Sequence, residues 1–273
     1  MDVVFTAELH NIKIMYNFLK AISFKDTAVI SLTERGMKIT VEEMKCVQTS
    51  AYIPNDVFDV YKLQIDEEEI NFKISMKILT EFLNIFGDDG SPSLKIVYKE
   101  IGSPLMLILD HSEECYIADC KLETIEEDEV LNLYLATECR VNNVVVKAPL
   151  LVNIIHELDM TADHLILFLS PDPPYFRIST EGLLGEIHVD ISPNSDMVEL
   201  FRCTKTMKLA YNSTYIKQLE KVMNISSRIS ISTGDEAGLL GLQMIIESNE
   251  QSSKEYKMFV EYFCTALTGD DDD

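Results

Sequence analysis

The stretch Ile12-Lys13-Ile14-Met15-Tyr16-Asn17-Phe18-Leu19 decides the fold, because the chain repeats its pattern once. Its counterpart, half a chain further on, is Leu151-Val152-Asn153-Ile154-Ile155-His156-Glu157-Leu158. In both stretches, apolar residues recur at the spacing of a helix with one buried face. A second apolar stripe at residues 79–86 recurs at residues 216–223, with nearly the same displacement. Repeats of this length have the size of domains rather than of solenoid units, so the sequence predicts two similar domains.

Segments of β-branched and alternating residues separate the predicted helices and indicate short antiparallel strands. Gly36-Met37-Lys38-Ile39-Thr40 corresponds to Tyr175-Phe176-Arg177-Ile178-Ser179, with the same displacement as the first pair of helices. The other predicted strands are Thr27–Leu32, Leu94–Tyr98, Leu105–Leu109, Cys115–Leu122, Leu165–Leu169, Glu186–Ile191, Arg228–Ser232 and Tyr256–Phe263. Each half then packs two helices on one face of antiparallel sheets, which is an α+β arrangement.

An acidic segment separates the two halves. It runs from Glu123 to Glu129 and has the composition of an exposed linker between domains. A further strand is expected to begin at Val130. The predicted organisation is a first domain at residues 1–122, a linker at 123–129, a second domain at 130–269 and an acidic tail at 270–273.

Composition indicates a soluble intracellular protein. The chain does not open on a basic segment followed by an apolar leader, and it contains no apolar run of about 18 residues or more. Its six cysteines are scattered without the close pairs typical of zinc sites. We therefore expect reduced, mostly buried thiols and no zinc site.

Two helix faces are basic although the chain carries 46 acidic and only 23 basic residues, for a net charge of −23. The candidate phosphate-facing residues are Lys13, Asn17 and Lys20 on the first helix and Lys217 and Lys221 on the last, with Arg228 one turn further in the same register. The second helix adds Lys73 and Lys77 but also carries Glu81. A lysine-bearing face on a single helix is common, because lysines are usually exposed to solvent. The evidence for a basic surface is that the first and last helices carry matching faces. A phosphate backbone would be attracted to these faces and repelled elsewhere, without reading base sequence.

Catalytic motifs are not found in the sequence. There is no phosphate-binding loop, dinucleotide fingerprint, zinc-protease motif or serine-hydrolase motif. Acidic runs such as 66–69 and 126–129 are consecutive, and successive residues point in different directions, so they do not form a two-metal site. His188 and Asp190 share one strand face, but such a pair is more often a surface or interface contact than a catalytic or metal site. We expect no enzyme activity, no cofactor and no metal.

Several uncommon strings occur in a fixed order along nearly the whole chain. They are Leu19-Lys20-Ala21-Ile22-Ser23-Phe24, Gly36-Met37-Lys38-Ile39-Thr40-Val41-Glu42, Lys45-Cys46-Val47-Gln48, Phe86-Gly87, Pro104-Leu105-Met106-Leu107, Glu157-Leu158-Asp159-Met160-Thr161, Ser170-Pro171-Asp172, Pro174-Tyr175-Phe176-Arg177-Ile178-Ser179-Thr180 and Phe259-Val260-Glu261-Tyr262. Together they resemble the family of the Rad-one subunit of the nine-one-one DNA-damage checkpoint clamp. The resemblance implies the sliding-clamp fold of proliferating cell nuclear antigen, in which helices line a channel around duplex DNA. It also implies the Rad-nine and Hus-one subunits and a clamp loader as partners, recruitment of checkpoint and repair proteins, and a nuclear location.

The clamp pattern implies two subunit interfaces at sheet edges, since an unpaired edge strand is a template for a neighbouring chain. The residues concerned are Cys115, Tyr116, Ile117, Ala118, Asp119 and Cys120 in the first half, and Glu186, Ile187, His188, Val189, Asp190 and Ile191 in the second. Tyr262 and Phe263 would border the groove beside the linker where clamps receive hydrophobic partner peptides. Both could equally be core residues.

The predicted function is that of a non-catalytic subunit of a heterotrimeric DNA clamp in checkpoint signalling and repair. A homotrimeric replication processivity clamp of the same fold is one alternative, and a metal-dependent 3′–5′ exonuclease is the other. Glu157 and Asp159 make the third helix acidic near its end, so we expect an unevenly charged channel wall.

Overall fold

The repeated apolar stripes form helices in the computed structural model, which describes residues 3–64, 68–87, 92–111, 115–126, 132–158, 162–182, 185–234, 238–247 and 256–267. The helices are α1 (Ile12–Ile22), α2 (Met76–Leu83), α3 (Ala148–Glu157), α4 (Ser213–Lys217) and α5 (Glu220–Asn224). The side chain of Asn11 caps α1 by accepting a hydrogen bond from the backbone N–H of Lys13 at 2.9 Å. Ser75 and Asn212 cap α2 and α4 in the same way.

Two of the predicted helices differ from the sequence pattern. The α2 helix ends at Leu83, so Ile85 and Phe86 of the predicted stripe lie beyond it, and Ile85 is 54% exposed. The last helix is divided into α4 and α5, because the N–H of Leu219 bonds to the carbonyl of Ile216 and tightens the turn between the two segments. The apolar period is therefore a guide to the buried face but not to where a helix ends.

The strands outnumber the helices, as an α+β fold of this kind requires. In chain order they are β1 (Phe5–Leu9), β2 (Thr27–Thr33), β3 (Gly36–Glu43), β4 (Val47–Pro54), β5 (Val60–Leu63), β6 (Ile70–Ser75), β7 (Ser93–Tyr98), β8 (Leu105–His111), β9 (Tyr116–Leu122), β10 (Ile125–Glu126), β11 (Arg140–Lys147), β12 (His164–Leu169), β13 (Phe176–Gly182), β14 (Gly185–Ile191), β15 (Val198–Cys203), β16 (Met207–Asn212), β17 (Arg228–Gly234), β18 (Leu239–Glu247) and β19 (Lys257–Thr265). Short 3₁₀ turns lie at Asn55–Val57 and Thr137–Cys139.

The chain forms two compact units. The first unit comprises Met1–Glu42, Ser50–Leu131 and Ser248–Met258, and the second comprises Glu43–Thr49, Asn132–Glu247 and Phe259–Asp273. In the first unit the strand orders are β5-β1-β7-β8-β9 and β10-β6-β2-β3-β4. In the second they are β15-β11-β17-β18-β19 and β16-β12-β13-β14.

The two units share one topology, which is the structural form of the sequence repeat. The order β5-β1-β7-β8-β9 becomes β15-β11-β17-β18-β19 when ten is added to each strand number, and β6-β2-β3-β4 becomes β16-β12-β13-β14. The helix α1 corresponds to α3, and α2 corresponds to α4 with α5. This correspondence makes β9 equivalent to β19 and β14 equivalent to β4.

The segment around the predicted linker is described only in part. Residues 123–126 include β10, in which Ile125 pairs with Lys73 of β6. Residues 127–129, Val130 and the predicted tail at 270–273 lie outside the described residues, as does Asp159. No strand forms at residues 132–139, and the next strand is β11. The domain boundaries drawn from the sequence therefore stay a prediction.

The core of the second unit lies between its two sheets and its helices. A small apolar cavity of about 40 Å³ marks the place, lined by Leu151 of α3, Ile216 of α4, Leu167 of β12 and Leu242 of β18, among others. In the first unit, Phe72 of β6 stacks on Tyr98 of β7 with ring centroids 4.6 Å apart. Apolar burial between layers is thus what holds each unit together.

The hairpin between β2 and β3 requires glycine at position 36. Gly36 has a φ of +147°, and a Cβ there would lie 2.3 Å from the carbonyl oxygen of Ile53. Gly102 also has a positive φ, of +80°, but nothing lies within 4 Å of its Cβ position. Substitution of both residues by alanine therefore separates two costs. Both variants strain a backbone with positive φ, but only the one at Gly36 brings a Cβ into collision with the Ile53 carbonyl.

We expect Gly36→Ala to lower the free energy of unfolding by about 2–5 kcal/mol, from left-handed backbone strain and displacement of the Ile53 carbonyl. Gly102→Ala should lower it by only about 1–2 kcal/mol. Urea denaturation of both variants measures the difference. Equal losses would show that the close approach to Ile53 does not constrain the hairpin.

Candidate functional site

The first candidate surface is the outward face of α1. Asn17 and Lys20 are exposed, and Lys13 is half-buried. The Lys20 ammonium lies 5.1 Å from the centroid of the Tyr16 ring, which keeps the charge on the helix surface. The sequence of α1 contains no acidic residue. This face can attract a phosphate backbone without competing carboxylates on the same helix.

The last helix carries a weaker basic face than predicted. Lys217 at the end of α4 and Lys221 in α5 are both exposed. Glu220 lies directly before Lys221 in the first turn of α5. The segment therefore holds two lysines with one glutamate, and its match to α1 is incomplete.

Two predicted DNA-facing residues are not on helices. Lys73 lies in strand β6, because Ser75 caps α2 and the helix starts only at Met76. Arg228 is the first residue of β17, and its Nε lies 3.3 Å from Oε2 of Glu199. Because Arg228 lies in a strand, its predicted helical register is wrong. Its pairing with a carboxylate also leaves it little net positive potential.

The remaining helix positions divide by charge. Lys77 is exposed on α2 together with Glu81. On α3, Nδ1 of His156 lies 3.8 Å from Oε1 of Glu157. Helices α2 and α3 are therefore less basic than α1, and the unevenly charged channel wall stays a prediction.

The second candidate surface is the β9 edge, where β9 is the outermost strand among the described residues of its sheet. Cys115 lies just before the strand, and Tyr116 and Ile117 are 56% and 71% exposed. Phe86 stacks with Tyr116 at a centroid distance of 6.4 Å and meets the ring of His111 edge-on at 5.7 Å. The other predicted residues, Ala118, Asp119 and Cys120, are exposed or half-buried. An edge strand with exposed apolar side chains is typical of an interaction surface.

The third candidate surface is the β14 edge, the outermost strand of the four-stranded sheet of the second unit among the described residues. Glu186, Ile187, His188 and Asp190 are exposed, Val189 is half-buried and Ile191 is buried. Ile187 is 42% exposed. No described strand pairs with the outer side of β14, which carries one large apolar side chain, but its outward face is more acidic than that of β9.

A bidentate ion pair orders the β14 edge. Arg177 of β13 donates from Nε to Oδ1 of Asp190 at 2.5 Å and from a terminal guanidinium nitrogen to Oδ2 at 2.9 Å. These hydrogen bonds lower the pKa of the Asp190 carboxyl below its ordinary value. The pair is exposed, so it serves to orient side chains more than to stabilise the unit.

Tyr262 does not border an open groove, whereas Phe263 lines a small pocket together with Leu135, Arg140 and Glu261, among others. Tyr262 is fully buried and Phe263 is 8% exposed. Burial raises the pKa of the Tyr262 hydroxyl above its ordinary value. The Phe263 ring lies 3.1 Å from the position where Gly241 would carry a Cβ. Successive strand residues point to opposite faces, so their burial together shows that β19 is covered on both sides. Tyr262 therefore belongs to the core, and the peptide groove at Phe263 stays a prediction.

The six cysteines all lie among the described residues and form no disulfide there, but most are not buried. Only Cys264 is buried, Cys115 and Cys139 are exposed, and the other three are partly exposed. The expectation of mostly buried thiols is therefore wrong. Within the described ranges, no three His, Cys, Asp or Glu side chains converge on a point where they could hold a metal ion. No described helix is both long enough and apolar enough to span a membrane.

Sequence reasoning missed two apolar residues in and after α2. The apolar period places Phe86 in a helix stripe, but its ring stacks on the edge tyrosine. Ile78, on α2, is 49% exposed although it is a large apolar residue. The sequence signal for Ile78 is its position directly before Leu79, which is buried. Adjacent residues of a helix point in different directions, so Ile78 is turned away from the core.

Comparisons with known proteins bear on these surfaces. A family model described as repair protein Rad1/Rec1/Rad17 matches residues 4–246. The cell cycle checkpoint protein RAD1 of Mus musculus is 38% identical over 262 residues, which cover 94% of this chain and 90% of the mouse protein. The protein of the same name from Homo sapiens is 36% identical with the same coverage. The DNA damage checkpoint control protein rad1 of Schizosaccharomyces pombe is 24% identical over 90% of this chain and 83% of its own length.

The family match and the duplicated topology agree. Mostly antiparallel sheets with a few helices, arranged the same way in both units, confirm the predicted α+β clamp fold. The match covers nearly all of the described elements, from β1 to β18. The chain is therefore a member of the Rad1/Rec1/Rad17 family of repair proteins.

Proposed function

We propose that this chain is a non-catalytic subunit of a heterotrimeric, ring-shaped DNA clamp. The ring is loaded at sites of damage and acts as a sliding platform in checkpoint signalling and repair. The names of the relatives, a cell cycle checkpoint protein and a DNA damage checkpoint control protein, support the setting. The observation that carries the proposal is the presence of two exposed sheet edges, β9 and β14.

Among the described residues, β9 and β14 are outermost strands, as are β5, β10, β15 and β16. What distinguishes β9 and β14 is that their equivalents in the internal repeat lie beside each other. The equivalent of β9 is β19, and the equivalent of β14 is β4. In the second unit, the first residues of β4 lie beside the end of β19, and the N–H of Thr265 donates to the carbonyl of Cys46 at 3.0 Å. The chain thus contains one junction of the kind that β14 of one subunit and β9 of the next would form. Head-to-tail repetition of such a junction closes a ring when the rotation allows it.

The basic helix faces fit the inner surface of such a ring. Encirclement retains DNA topologically, so the protein needs only a modest, sequence-independent attraction to phosphates. Lys13 and Lys20 on α1, with Lys217 and Lys221 on the last helix, supply that attraction. The net charge of −23 keeps DNA away from the rest of the surface.

The partners follow from the resemblance to the checkpoint clamp. We propose the Rad-nine and Hus-one subunits as the two neighbours, a clamp loader that opens the ring, checkpoint and repair proteins as clients, and the nucleus as the location. A second copy of this chain is a less suitable neighbour, since two bodies each carrying a charge of −23 repel one another.

The mass of the purified chain in solution, alone and mixed with the two partner subunits, tests the proposal. Light scattering after size exclusion should give a monomer alone and a single one-to-one-to-one complex in the mixture. A homotrimer formed by the chain alone would instead place it among replication processivity clamps. DNA cleavage that requires a metal and is lost with particular carboxylates would favour the exonuclease.

Edge substitutions test the two interfaces. We expect Ile117→Asp and Ile187→Asp each to weaken assembly more than about tenfold, or about 1.4 kcal/mol, because a carboxylate would be desolvated between strands. Both side chains are exposed in the isolated chain, so its thermal unfolding should change little. Ile101→Asp is the matched control, since Ile101 is 55% exposed in the loop between β7 and β8. Assembly that is unaffected in both edge variants would refute the interfaces.

Charge reversal tests the helix faces. We expect Lys13→Glu, Lys20→Glu, Lys217→Glu and Lys221→Glu together to reduce retention of the ring on circular DNA. The negative slope of log K against log salt should become shallower by up to about 0.9 for each lysine that neutralises a phosphate. The control carries the same number of reversals at exposed lysines outside the helices, Lys45, Lys62, Lys99 and Lys208. Equal behaviour of the two variants would exclude the helix faces as the DNA-binding surface.

A further inference from the structure

In the second unit, a hairpin turn packs against a helix. The turn joins β3 to β4, and two of its residues, Met44 and Lys45, have φ values of 49° and 58°. The hydroxyl of Tyr215 on α4 donates to Sδ of Met44 at 3.9 Å. Nε2 of Gln218, at the end of α4, donates to Oε2 of Glu43 at 3.4 Å. The turn is therefore held at two points by the first helix after β16.

The first unit contains the equivalent helix without such a turn among the described residues. Both helices begin directly after a capping side chain, which is Ser75 for α2 and Asn212 for α4. When these two caps are aligned, Ile78 takes the place of Tyr215 and Glu81 takes the place of Gln218.

The side chains on α2 are more exposed than their equivalents on α4, as expected if a turn covers α4 but not α2. Tyr215 and Gln218 are half-buried, whereas Glu81 is exposed and Ile78 is 49% exposed. A large apolar side chain on an exposed helix face is a feature of interaction surfaces. The uncovered surface of α2 thus has the same place in the fold as the covered surface of α4.

The α2 helix also contacts the β9 strand. Phe86, which follows α2, stacks on Tyr116 of β9 at 6.4 Å. Tyr116 and Ile117 extend the exposed apolar area along the strand. A chain that pairs with β9 would therefore reach α2 with the turn at the end of its own edge strand, as β4 and its preceding turn do in the second unit.

We propose that Ile78 and Glu81 form a receiving site for the β-hairpin turn of the neighbouring clamp subunit that pairs with β9. This inference rests on the proposed ring and adds a contact outside the paired strands. The chemistry of the turn follows from the substitutions at the site. An apolar residue of the turn would pack on Ile78. A lysine or arginine of the turn would pair with Glu81, because a carboxylate only accepts hydrogen bonds, whereas Gln218 donates one to Glu43. The site would thus favour a partner with a basic, apolar turn.

Assembly of the full chain with its two partner subunits tests the site. Ile78→Asp and Glu81→Lys should each weaken formation of the one-to-one-to-one complex at least tenfold, and Glu81→Gln should weaken it less. The isolated variants should unfold at nearly the wild-type temperature, since both side chains are exposed and aspartate in the first turn of a helix is favourable. Ile101→Asp, at an exposed isoleucine in a loop, should assemble like the wild type.

The possible outcomes separate this inference from the ring itself. If Ile78→Asp and Glu81→Lys assemble like Ile101→Asp while Ile117→Asp does not, strand pairing closes the ring and the receiving site on α2 is wrong. If the wild-type chain forms no complex with the partner subunits, the proposed function fails and the inference fails with it. Loss of assembly in the α2 variants with unchanged thermal unfolding supports the site.

Discussion

Hydrogen bonding at the edges of the sheets is the constraint on which the rest of the structure depends. Every strand in a sheet satisfies its backbone groups through its neighbours, and an edge strand leaves one row open. The duplicated topology produces equivalent edges, and the start of β4 lies beside β19 within the second unit. The strands β9 and β14 are their equivalents, and both carry exposed isoleucine side chains. The proposed assembly would pair these two strands.

The distribution of charge adds a second level of organisation. A strongly acidic chain avoids acidic residues on α1 altogether and keeps lysines exposed on α4 and α5. The balance is not uniform, because Glu220, Glu157 and Glu81 interrupt the other helices. A sliding contact tolerates such unevenness, since it depends on the summed potential along the DNA rather than on any one ion pair.

The two edges differ in chemistry although each has its equivalent at the junction inside the second unit. The β9 edge combines exposed aromatic and aliphatic side chains, supported by Phe86. The β14 edge is more acidic, with Asp190 held by Arg177 and Glu186 exposed nearby. Edges of different character suit different neighbours, because specificity comes from disfavouring the wrong partner as well as from favouring the right one.

Most of the helices and strands could be predicted from the sequence, because periodicity and turn residues are local signals. The stripe at residues 12–19 lies within α1, and the turn at Thr33–Gly36 joins β2 to β3. The failures are also local in origin. The pattern places Lys73 on a helix because it does not reveal that Ser75 caps α2, and it places Arg228 there because the apolar period does not show where α5 ends.

By itself, the sequence determined the duplication, the α+β class and the basic character of α1, since each depends on residue type and spacing along the chain. The two edge strands were predicted from the resemblance to the clamp family. Only the tertiary structure decided which side chains are covered. It buried Tyr262, placed Phe263 in the wall of a pocket, paired Arg228 with Glu199, and left Ile78 exposed. The physical reason is that burial and ion pairing depend on neighbours distant in sequence, and a local pattern carries no record of those neighbours.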